Sequence, residues 1–451
     1  MKLSLNEYLN KEERLMSLDN FKIFGNIPIW RIVRTRIRGE ILNQVNKTVG
    51  VKISFGLLYN VVLSFIELLM ILLRRKHYDN LIFPHPRLFK IDEIYVERLT
   101  DPIIDYSDIG KSYIIFERWQ NGVHKKPRIH SENCIYWDFV PFISLSISKI
   151  FRNHIVKKYR GQINGLISEL SKEFEINDKI KSIIDFELSC FIVSYVITAP
   201  ILKACSSKRI FVAPRVTFDY IIALAKKYGI ASYELQHGIT LGPTSLYSGK
   251  YNNSIDPDYF LTFGIGNVSE YFGIPIDRII NIGYAFGNYI KGHMKDSDIK
   301  NNRILIISEP RITDSLLKVM LLLVERYPTW DFDFRCHPQE ALNNKQKAII
   351  ESCSNLHEVS NDEESFSTIS KYPVIIGENS SVLFEALFLG KKVGRLNFNG
   401  LKVNTDSFIQ GGFIINTIDE FELFINTLRI NKQSSQTLYS EFQPEVVNQL
   451  K

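Results

Sequence analysis

Short apolar runs alternate along most of this chain with longer segments of helical periodicity. Such alternation is typical of parallel β-sheets whose strands are joined by crossover helices. In the first half of the chain, five β-rich runs predict the strands of one sheet. These runs are 80–84, 112–117, 209–214, 231–236 and 258–264.

The alternation restarts after a helix-like segment over 285–302 and predicts a second sheet. Its β-rich runs are 303–308, 331–337, 373–378 and 392–398. We therefore predict the α/β fold class, with two Rossmann-like doubly wound domains over 77–290 and 291–430 that face a cleft. A cleft beside the carboxyl ends of strands is the default place for a ligand. The last segment, 431–451, is predicted to be a helix that folds back.

Residues 1–76 form a predicted helical segment that raises the question of a membrane. The stretch 52–73 is long and apolar enough to cross a bilayer, and a basic cluster follows at 74–76. Asn60 and Glu67 interrupt this stretch and share one face of a helix. A helix packed on the first domain is the favoured interpretation. A membrane-peripheral helix lying in the interface and a spanning helix are the alternatives.

The composition limits the kind of protein. With 451 residues, 45% apolar and 23% charged, the chain is typical of a folded protein with two or three domains. The net charge of +6 suits contact with phosphates or an anionic membrane surface, without being diagnostic. Five scattered cysteines without a CxxC pair argue against disulfides or a zinc site and for a reducing compartment. The polar N-terminus shows no signal peptide, so we expect a cytoplasmic protein.

Three short motifs carry candidate chemistry, and the first is YELQHGIT at 233–240. The predicted strand is followed at once by Gln236, His237 and Gly238. An imidazole near its ordinary pKa can accept a proton from an acceptor hydroxyl. Gly238 would let the backbone turn so that the ring faces the cleft. A loop histidine bonded to a backbone carbonyl is the alternative interpretation.

The second motif is FRCHPQE at 334–340. Arg335 and His337 alternate at the end of a predicted strand, so both side chains should point to one face. Pro338 then starts a helix at a position that needs no N–H. Two hydrogen-bond donors on one face suit the binding of a diphosphate. The alternative is that they are two ordinary polar residues at the end of a strand.

The third motif, GENSSVLFEALFLGKKV at 377–393, is the most specific. Asn379, Ser380 and Ser381 stand where a helix N-cap belongs. Hydroxyls and free N–H groups at a helix N-terminus favour a phosphate, and plain capping is the alternative. Glu385, about one turn deeper, would bind ribose hydroxyls or face solvent.

Three more polar residues are placed on the same donor-binding side. Ser308 and Glu309 end the first predicted strand of the second domain and would add a phosphate or base contact. Glu378 belongs to the third motif and lies two residues before Ser380. Neither GxxxxGK[ST] nor GxGxxG occurs in the sequence, which excludes the simplest ATPase and dehydrogenase interpretations.

Taken in order, these motifs and the stretch FGIPIDRIINIG at 272–283 resemble the two-domain GT-B glycosyltransferases that build bacterial surface polysaccharides. They are similar to capsule and lipopolysaccharide transferases with cytidine-activated donors. Among these are CDP-glycerol glycerophosphotransferase-like enzymes, capsule Kdo transferases and HP-motif sialyltransferases. The resemblance covers about residues 209–400 well, and the N-terminal 200 residues only loosely.

The resemblance implies roles for individual residues. His237 would be the catalytic base; Glu234 is the alternative, because the sialyltransferases carry an acidic motif there. Gln236 and Gly238 would lie on the acceptor side. On the donor side, His337 with Arg335 beside it and the serines Ser380 and Ser381 would contact phosphate, and Glu385 would hold ribose.

The resemblance also implies a metal-independent glycosyltransferase without a cofactor. Its partners would be a nucleotide-sugar donor, CMP- or CDP-linked, and an oligosaccharide or lipid-linked glycan acceptor. Peripheral contact with the inner membrane fits this work, and nucleic acid is not an expected partner. The alternatives are an alditol-phosphate transferase of the CDP-glycerol type, a sugar-nucleotide epimerase and a noncatalytic polysaccharide-assembly protein.

Overall fold

The computed structural model divides the chain into two compact units. It describes residues 3–42, 54–120, 122–239, 244, 246–267, 272–293, 302–309, 312–338, 340–361, 363–403, 411–427 and 438–451. The first unit contains the residues up to Thr262, the segment through Asn281 and Pro444–Lys451. The second unit contains Phe263–Asn267 and Ile282–Gln443.

Helices and strands alternate in both units, as the sequence predicts. The helices are α1 (Leu5–Glu13), α2 (Ile29–Ile41), α3 (Phe55–Arg74), α4 (Asp101–Tyr106), α5 (Phe139–Val156), α6 (Arg160–Leu170), α7 (Asp178–Cys205), α8 (Asp219–Tyr228), α9 (Ala285–His293), α10 (Thr313–Arg326), α11 (Asn344–Glu351), α12 (Ser365–Ser370), α13 (Ser381–Phe388), α14 (Ile418–Asn426) and α15 (Pro444–Asn448). The strands are β1 (Lys22–Ile23), β2 (Ile27–Pro28), β3 (Asn80–Phe83), β4 (Leu88–Ile91), β5 (Ile94–Glu97), β6 (Tyr113–Glu117), β7 (Cys134–Tyr136), β8 (Arg209–Val212), β9 (Ala231–Leu235), β10 (Tyr259–Thr262), β11 (Ile279–Asn281), β12 (Arg303–Ile307), β13 (Asp331–Arg335), β14 (Leu356–Glu358), β15 (Val374–Gly377), β16 (Lys392–Leu396) and β17 (Phe413–Ile415).

The main sheet of the first unit has seven parallel strands within the described residues, in the order β11-β10-β9-β8-β3-β6-β7. The chain runs outward from β3 to β7, returns to β8 and continues in the opposite direction. The order therefore reverses between β3 and β8, which is the topological switch point of a doubly wound sheet. Strands β3 and β6 are buried along their whole length, as expected for strands covered by helices on both faces.

The N-terminal helices belong to this first unit. Side chains of α1, α2, α3 and α7 share one apolar core with the sheet. Trp30 on α2 is 1% exposed, and its indole N–H donates to Glu12 on α1 (3.3 Å). Arg38, also on α2, forms an ion pair with the same carboxylate (2.8 Å). These contacts fix the N-terminal helices on the domain.

The end of the chain also packs in the first unit. The Leu450 carbonyl accepts a hydrogen bond from the Arg209 guanidinium (3.1 Å), and the Lys451 carbonyl accepts one from the Tyr233 hydroxyl (2.9 Å). Both donors lie on strands of the main sheet. Pro444–Lys451 therefore contacts β8 and β9.

The second unit repeats the same topology. Its sheet has six parallel strands within the described residues, in the order β14-β13-β12-β15-β16-β17, and the switch point lies between β12 and β15. Numbered along each unit, both sheets follow the 3-2-1-4-5-6 order of Rossmann-like domains, to which the first adds one strand. The predicted fold class, α/β with two Rossmann-like doubly wound domains, is confirmed by the strand order of the two sheets. The cleft between the two domains stays a prediction.

Candidate functional site

Three loops leave the carboxyl edge of the first sheet side by side. His85 follows β3, Arg215 follows β8 and His237 follows β9. These three strands are parallel neighbours, so their ends lie on one edge of the sheet. The edge includes the switch point between β3 and β8, where ligands bind in open α/β sheets.

Two neutral histidines form the centre of this candidate site. The rings of His85 and His237 are nearly parallel (10°), with centroids 6.3 Å apart. Burial and the charge of Arg98 lower the pKa of His237 to about 4. Burial, then His237 and Arg98, lower the pKa of His85 to about 4 as well. Each ring is therefore uncharged at neutral pH and carries one basic nitrogen.

The backbone at His237 is held in place by buried polar side chains. Arg98 donates to the His237 carbonyl (2.7 Å). The Gln236 amide donates to the Gly238 carbonyl (2.8 Å) and accepts from the Thr262 hydroxyl (2.8 Å). Gln236 is 0% exposed, and its hydrogen bonds hold the loop; its place on the acceptor side stays a prediction.

The prediction that the backbone needs a glycine at position 238 in order to turn is wrong. Its φ lies outside the left-handed region that favours glycine, and an added Cβ would meet no described atom within 4 Å. The hydrogen bond from Gln236 holds this loop instead.

Glu234, the alternative base, lies beneath the site rather than in it. The carboxylate is fully buried and accepts a hydrogen bond from the Arg215 backbone N–H (2.9 Å), so it cannot contact an acceptor hydroxyl. Burial raises the pKa of Glu234 to about 7, although Arg215 opposes the rise. Of the two candidate bases, His237 is the one that is only partly buried.

Tyr247 lies beside His237 and is influenced by the charge of Glu234. Its hydroxyl lies 2.8 Å from His237 Nδ1. Burial, then Glu234, raises the pKa of Tyr247 well above its usual range, so the hydroxyl keeps its proton. Depending on the tautomer of the ring, this hydroxyl donates to His237 Nδ1 or accepts from Nδ1–H. In the second case, His237 Nε2 is left with a free lone pair.

Arginines give this edge a positive charge. The pKa of His85 is lowered in part by the charges of Arg98, Arg87 and Arg118. The Arg118 guanidinium lies 5.8 Å from the Phe218 ring and makes no hydrogen bond or ion pair with any described residue. The positive potential of Arg87, Arg98 and Arg118 at this edge suits an anionic ligand.

None of the sequence motifs identifies His85, Arg98, Arg118 or Tyr247. For His85 a signal existed, since a His-Pro pair directly follows the predicted strand 80–84. The arginines carry no local motif, and Tyr247 reaches His237 only through the fold.

A buried histidine fixes the loop that follows β6 and begins at Arg118. His124 Nδ1 and Nε2 each lie 2.6 Å from a carboxylate oxygen, of Glu117 and Asp138 respectively. The Trp119 backbone N–H donates to Asp138 as well (3.0 Å). Burial alone would lower the pKa of His124, but the hydrogen bonds to Asp138 and Glu117 outweigh burial and raise it to about 9.

In the second unit, the predicted donor motifs gather at the switch point. Ser308 and Glu309 follow β12, and Glu378 and Asn379 follow the neighbouring parallel strand β15. The Glu309 carboxylate accepts from the Asn379 backbone N–H (2.6 Å). The prediction of free N–H donors for phosphate is therefore wrong at Asn379, because a carboxylate already accepts from its N–H.

Arg335 also differs from its prediction. The side chain is buried, and its guanidinium donates to the Thr368 hydroxyl and to the Glu363 carbonyl (2.5 Å). A buried cation needs such partners, and these lie at α12 rather than at an open edge. His337 is half-buried and Pro338 is exposed on the loop after β13.

The remaining donor-side residues divide into structural and accessible ones. Ser308 is buried with its hydroxyl 2.9 Å from that of Thr313, and Glu378 accepts from the Lys402 backbone N–H (2.6 Å). Ser380 caps α13 by accepting from the Val382 backbone N–H (3.4 Å). Exposed Ser381 and half-buried Glu385 remain accessible, although Glu385 accepts from the Tyr284 hydroxyl (3.3 Å).

Within the described residues, no three His, Cys, Asp or Glu side chains are grouped so as to hold a metal ion. The metal independence implied by the resemblance stays a prediction.

No protein-family model matches the sequence, and no curated protein sequence matches it. Solved structures with a similar chain trace include the UDP-GlcNAc 2-epimerase from Methanocaldococcus jannaschii, at 10% identity and a TM-score of 0.48, covering 82% of this chain and 97% of the epimerase. The UDP-GlcNAc 2-epimerase from Neisseria meningitidis shows 13% identity and a TM-score of 0.46, with 80% and 96% covered. The wall teichoic acid polymerase TagF shows 11% identity and a TM-score of 0.39, with 92% and 90% covered. The assignment of both units as Rossmann-like rests on their strand order.

We expect the stability contribution of His124 to depend on pH. Its pKa is raised from 6.5 to about 9 in the folded protein, so the contribution is complete below pH 6.5 and is lost as the pH rises through 9. The difference in unfolding free energy between wild type and His124→Gln should therefore shrink by about 3 kcal/mol over this range. Urea unfolding at several pH values measures it. His154→Gln, at an exposed position, should show no such trend. A difference in unfolding free energy that does not change with pH for His124→Gln would contradict the stabilising role of its hydrogen bonds to Glu117 and Asp138.

Proposed function

We propose that this protein is a glycosyltransferase that moves a sugar from a nucleotide-activated donor, CMP- or CDP-linked, to a growing bacterial surface polysaccharide. The observation that carries the proposal is the neutral His237 at the carboxyl edge of the first sheet, where its Nδ1 lies 2.8 Å from the Tyr247 hydroxyl. A histidine that accepts the proton of a hydroxyl must be uncharged at neutral pH. The resemblance of the QHG motif to the acceptor-side motif of CDP-glycerol enzymes supports the same role.

In the proposed reaction, His237 Nε2 removes the proton of an acceptor hydroxyl. The acceptor oxygen forms a bond to the anomeric carbon of the donor sugar while the bond from that carbon to the nucleotide phosphate oxygen breaks. The nucleotide leaves with the electron pair, and the proton stays on the imidazole until it is released to water. In an alditol-phosphate transferase, the same base would serve attack at phosphorus instead.

Tyr247 and Glu234 act as positioning residues in this scheme. An ionised Glu234 accepts the Tyr247 proton, which orients the tyrosine oxygen to accept from His237 Nδ1–H. This arrangement leaves Nε2 free as the base. When Glu234 is protonated, Tyr247 can donate to Nδ1 instead, and the histidine proton moves to Nε2, where it blocks proton removal.

The acceptor would carry its own negative charge near the site. Arg98, Arg87 and Arg118 all contribute to the positive potential at His85. A phosphate or carboxylate of a glycan, or the diphosphate of a lipid-linked one, matches this potential. On the donor side, Ser381 and His337 are accessible polar groups beside the switch point of the second sheet.

We expect His237→Gln to lower kcat for sugar transfer by roughly 10²- to 10⁴-fold, the usual contribution of a general base. Nucleotide affinity should stay unchanged, because the substitution lies in the first unit. The measurement is a transfer assay with a nucleotide-sugar donor and a glycan acceptor, beside nucleotide titration. His293→Gln, an exposed histidine on α9, is the matched control and should retain full activity. Full activity in His237→Gln would exclude this base.

The pH profile should reveal the positioning residues. Because the pKa of Glu234 is about 7, kcat/KM should rise with pH through 7 as the carboxylate ionises. No second rise should appear between pH 5 and 8, since the pKa of His237 is about 4. Glu234→Gln and Tyr247→Phe should remove the rise and lower kcat roughly 10- to 100-fold, as loss of a charge-assisted hydrogen bond does. A variant with reduced activity but an unchanged profile would indicate a purely structural role.

The donor class is tested by thermal shift with CMP, CDP, UMP, UDP, GDP and TDP. A nucleotide at a hundred times its Kd should add about 2.7 kcal/mol of stability. We expect stabilisation by CMP or CDP that is lost in His337→Ala and kept in His357→Ala, a half-buried histidine of the same unit. Selective stabilisation by another nucleotide would contradict the cytidine donor. Conversion of a free UDP-sugar without acceptor would favour the epimerase, and no response to any nucleotide would favour a noncatalytic role.

A further inference from the structure

Helix α3 has an apolar face that points away from the first unit. Its exposed side chains include Phe55 (89% exposed), Tyr59 (62%), Val62 (57%) and Leu73 (69%). The other large apolar side chains exposed on the same helix are Leu58, Phe65, Ile66, Leu69 and Met70. They recur every three or four residues, so they form one stripe along the helix.

Two polar residues of α3, Ser64 and Glu67, point inward instead. Ser64 is fully buried, donates to the Tyr136 carbonyl (2.7 Å) and accepts from the Phe139 backbone N–H (3.1 Å). Glu67 accepts from the Tyr136 backbone N–H (2.6 Å), and burial raises the pKa of its carboxyl. An ordinary surface helix has the opposite arrangement, with polar groups in water and apolar groups in the core.

The outward stripe is long and carries no charge. At 1.5 Å per residue, the 20 residues of α3 extend for about 30 Å. A contiguous apolar surface of this length marks an interaction site in a folded protein. Its partner must therefore be apolar over a similar distance.

Basic residues border the stripe. Arg74, Arg75 and Lys76 are all exposed at the end of α3. Helix α5 packs beside α3 through contact of Phe139 with Phe65 (centroids 4.9 Å apart). Helix α5 itself exposes apolar Leu145, Ile150 and Phe151 together with Lys149, and Lys157 and Lys158 follow its end. An apolar stripe with basic borders matches an anionic lipid surface, whose interior is apolar and whose headgroups are negative.

We propose that α3 lies in the plane of an anionic lipid bilayer, with its outward stripe among the acyl chains and the basic cluster at 74–76 on the headgroups. Within the described residues, α3 and α7 are the helices long and apolar enough to cross a membrane. Helix α3 does not cross, because Leu68 and Ile71 on its inward face belong to the core of the first unit. The proposal does not depend on the transferase activity.

Vesicle co-sedimentation of the full-length protein tests the proposal. We expect binding to vesicles of phosphatidylcholine with 30% phosphatidylglycerol, and much weaker binding to phosphatidylcholine alone. Val62→Glu/Ile66→Glu, which places two charges on the stripe, should abolish binding. Arg74→Gln/Lys76→Gln should weaken binding to the anionic vesicles by roughly 10- to 30-fold, the product of the contributions of two basic residues.

A matched control distinguishes the effect of charges on the α3 stripe from a general effect of replacing exposed apolar side chains by glutamate. Ile276→Glu/Leu423→Glu replaces two side chains that are 74% and 59% exposed elsewhere on the protein, and it should bind anionic vesicles like wild type. Circular dichroism and thermal unfolding of each variant establish that it is folded. Nucleotide binding should be unchanged in all folded variants.

Three results would overturn the proposal. The wild-type protein could fail to bind anionic vesicles, or it could bind both vesicle types equally. Alternatively, Val62→Glu/Ile66→Glu could retain binding while converting a dimer to a monomer in light scattering, in which case the stripe is an interface between two copies of the chain.

Discussion

Parallel pairing of β3, β8 and β9 is the constraint on which the candidate site depends. Asn80 to Phe83 pair in register with Arg209 to Val212, and Arg209 to Val212 with Ala231 to Glu234, so all three strands end together. Residues far apart in sequence therefore leave the sheet at one edge. Without this register, His85 and His237 would not meet. The same 3-2-1-4 order places Glu309 beside Asn379 in the second unit.

Buried charges beneath this edge hold the geometry rather than adding stability. Arg215 donates to Asp256 (3.0 Å), and its backbone N–H donates to Glu234, while Arg34 on α2 lies 3.5 Å from Asp256. Desolvation of such groups costs about as much as their attraction returns, so a buried ion pair is weak evidence for stability. This network holds the Glu234 carboxylate in a fixed position near Tyr247. It also connects the N-terminal helix α2 to the site.

The sequence predicted five of the seven described strands of the first main sheet and four of the six of the second, because each is a short apolar run between helical segments. It missed the edge strands β7, β11, β14 and β17, which are only three residues long. It failed where partners come from elsewhere in the fold. Arg335 alternates with His337 along the strand, but its buried guanidinium donates to the Thr368 hydroxyl. The Asn379 N–H before α13, predicted to be free, donates to Glu309. For α3, the sequence shows the length of the apolar stretch. It does not show that Glu67 faces inward and accepts a hydrogen bond from Tyr136 of β7. A single sequence shows periodicity but not which face is covered.

The proton position on His237 is the most direct test of the central claim that this residue is a base supported by Tyr247 and Glu234. It can be measured by NMR of the protein with ¹⁵N-labelled imidazoles, with His237→Gln assigning the signal. The account predicts a ring that is neutral at pH 6, since the pKa of His237 is about 4, and that carries its proton on Nδ1 at pH 8, when Glu234 is ionised. A cationic ring at pH 6, or a proton on Nε2 at pH 8, would contradict it.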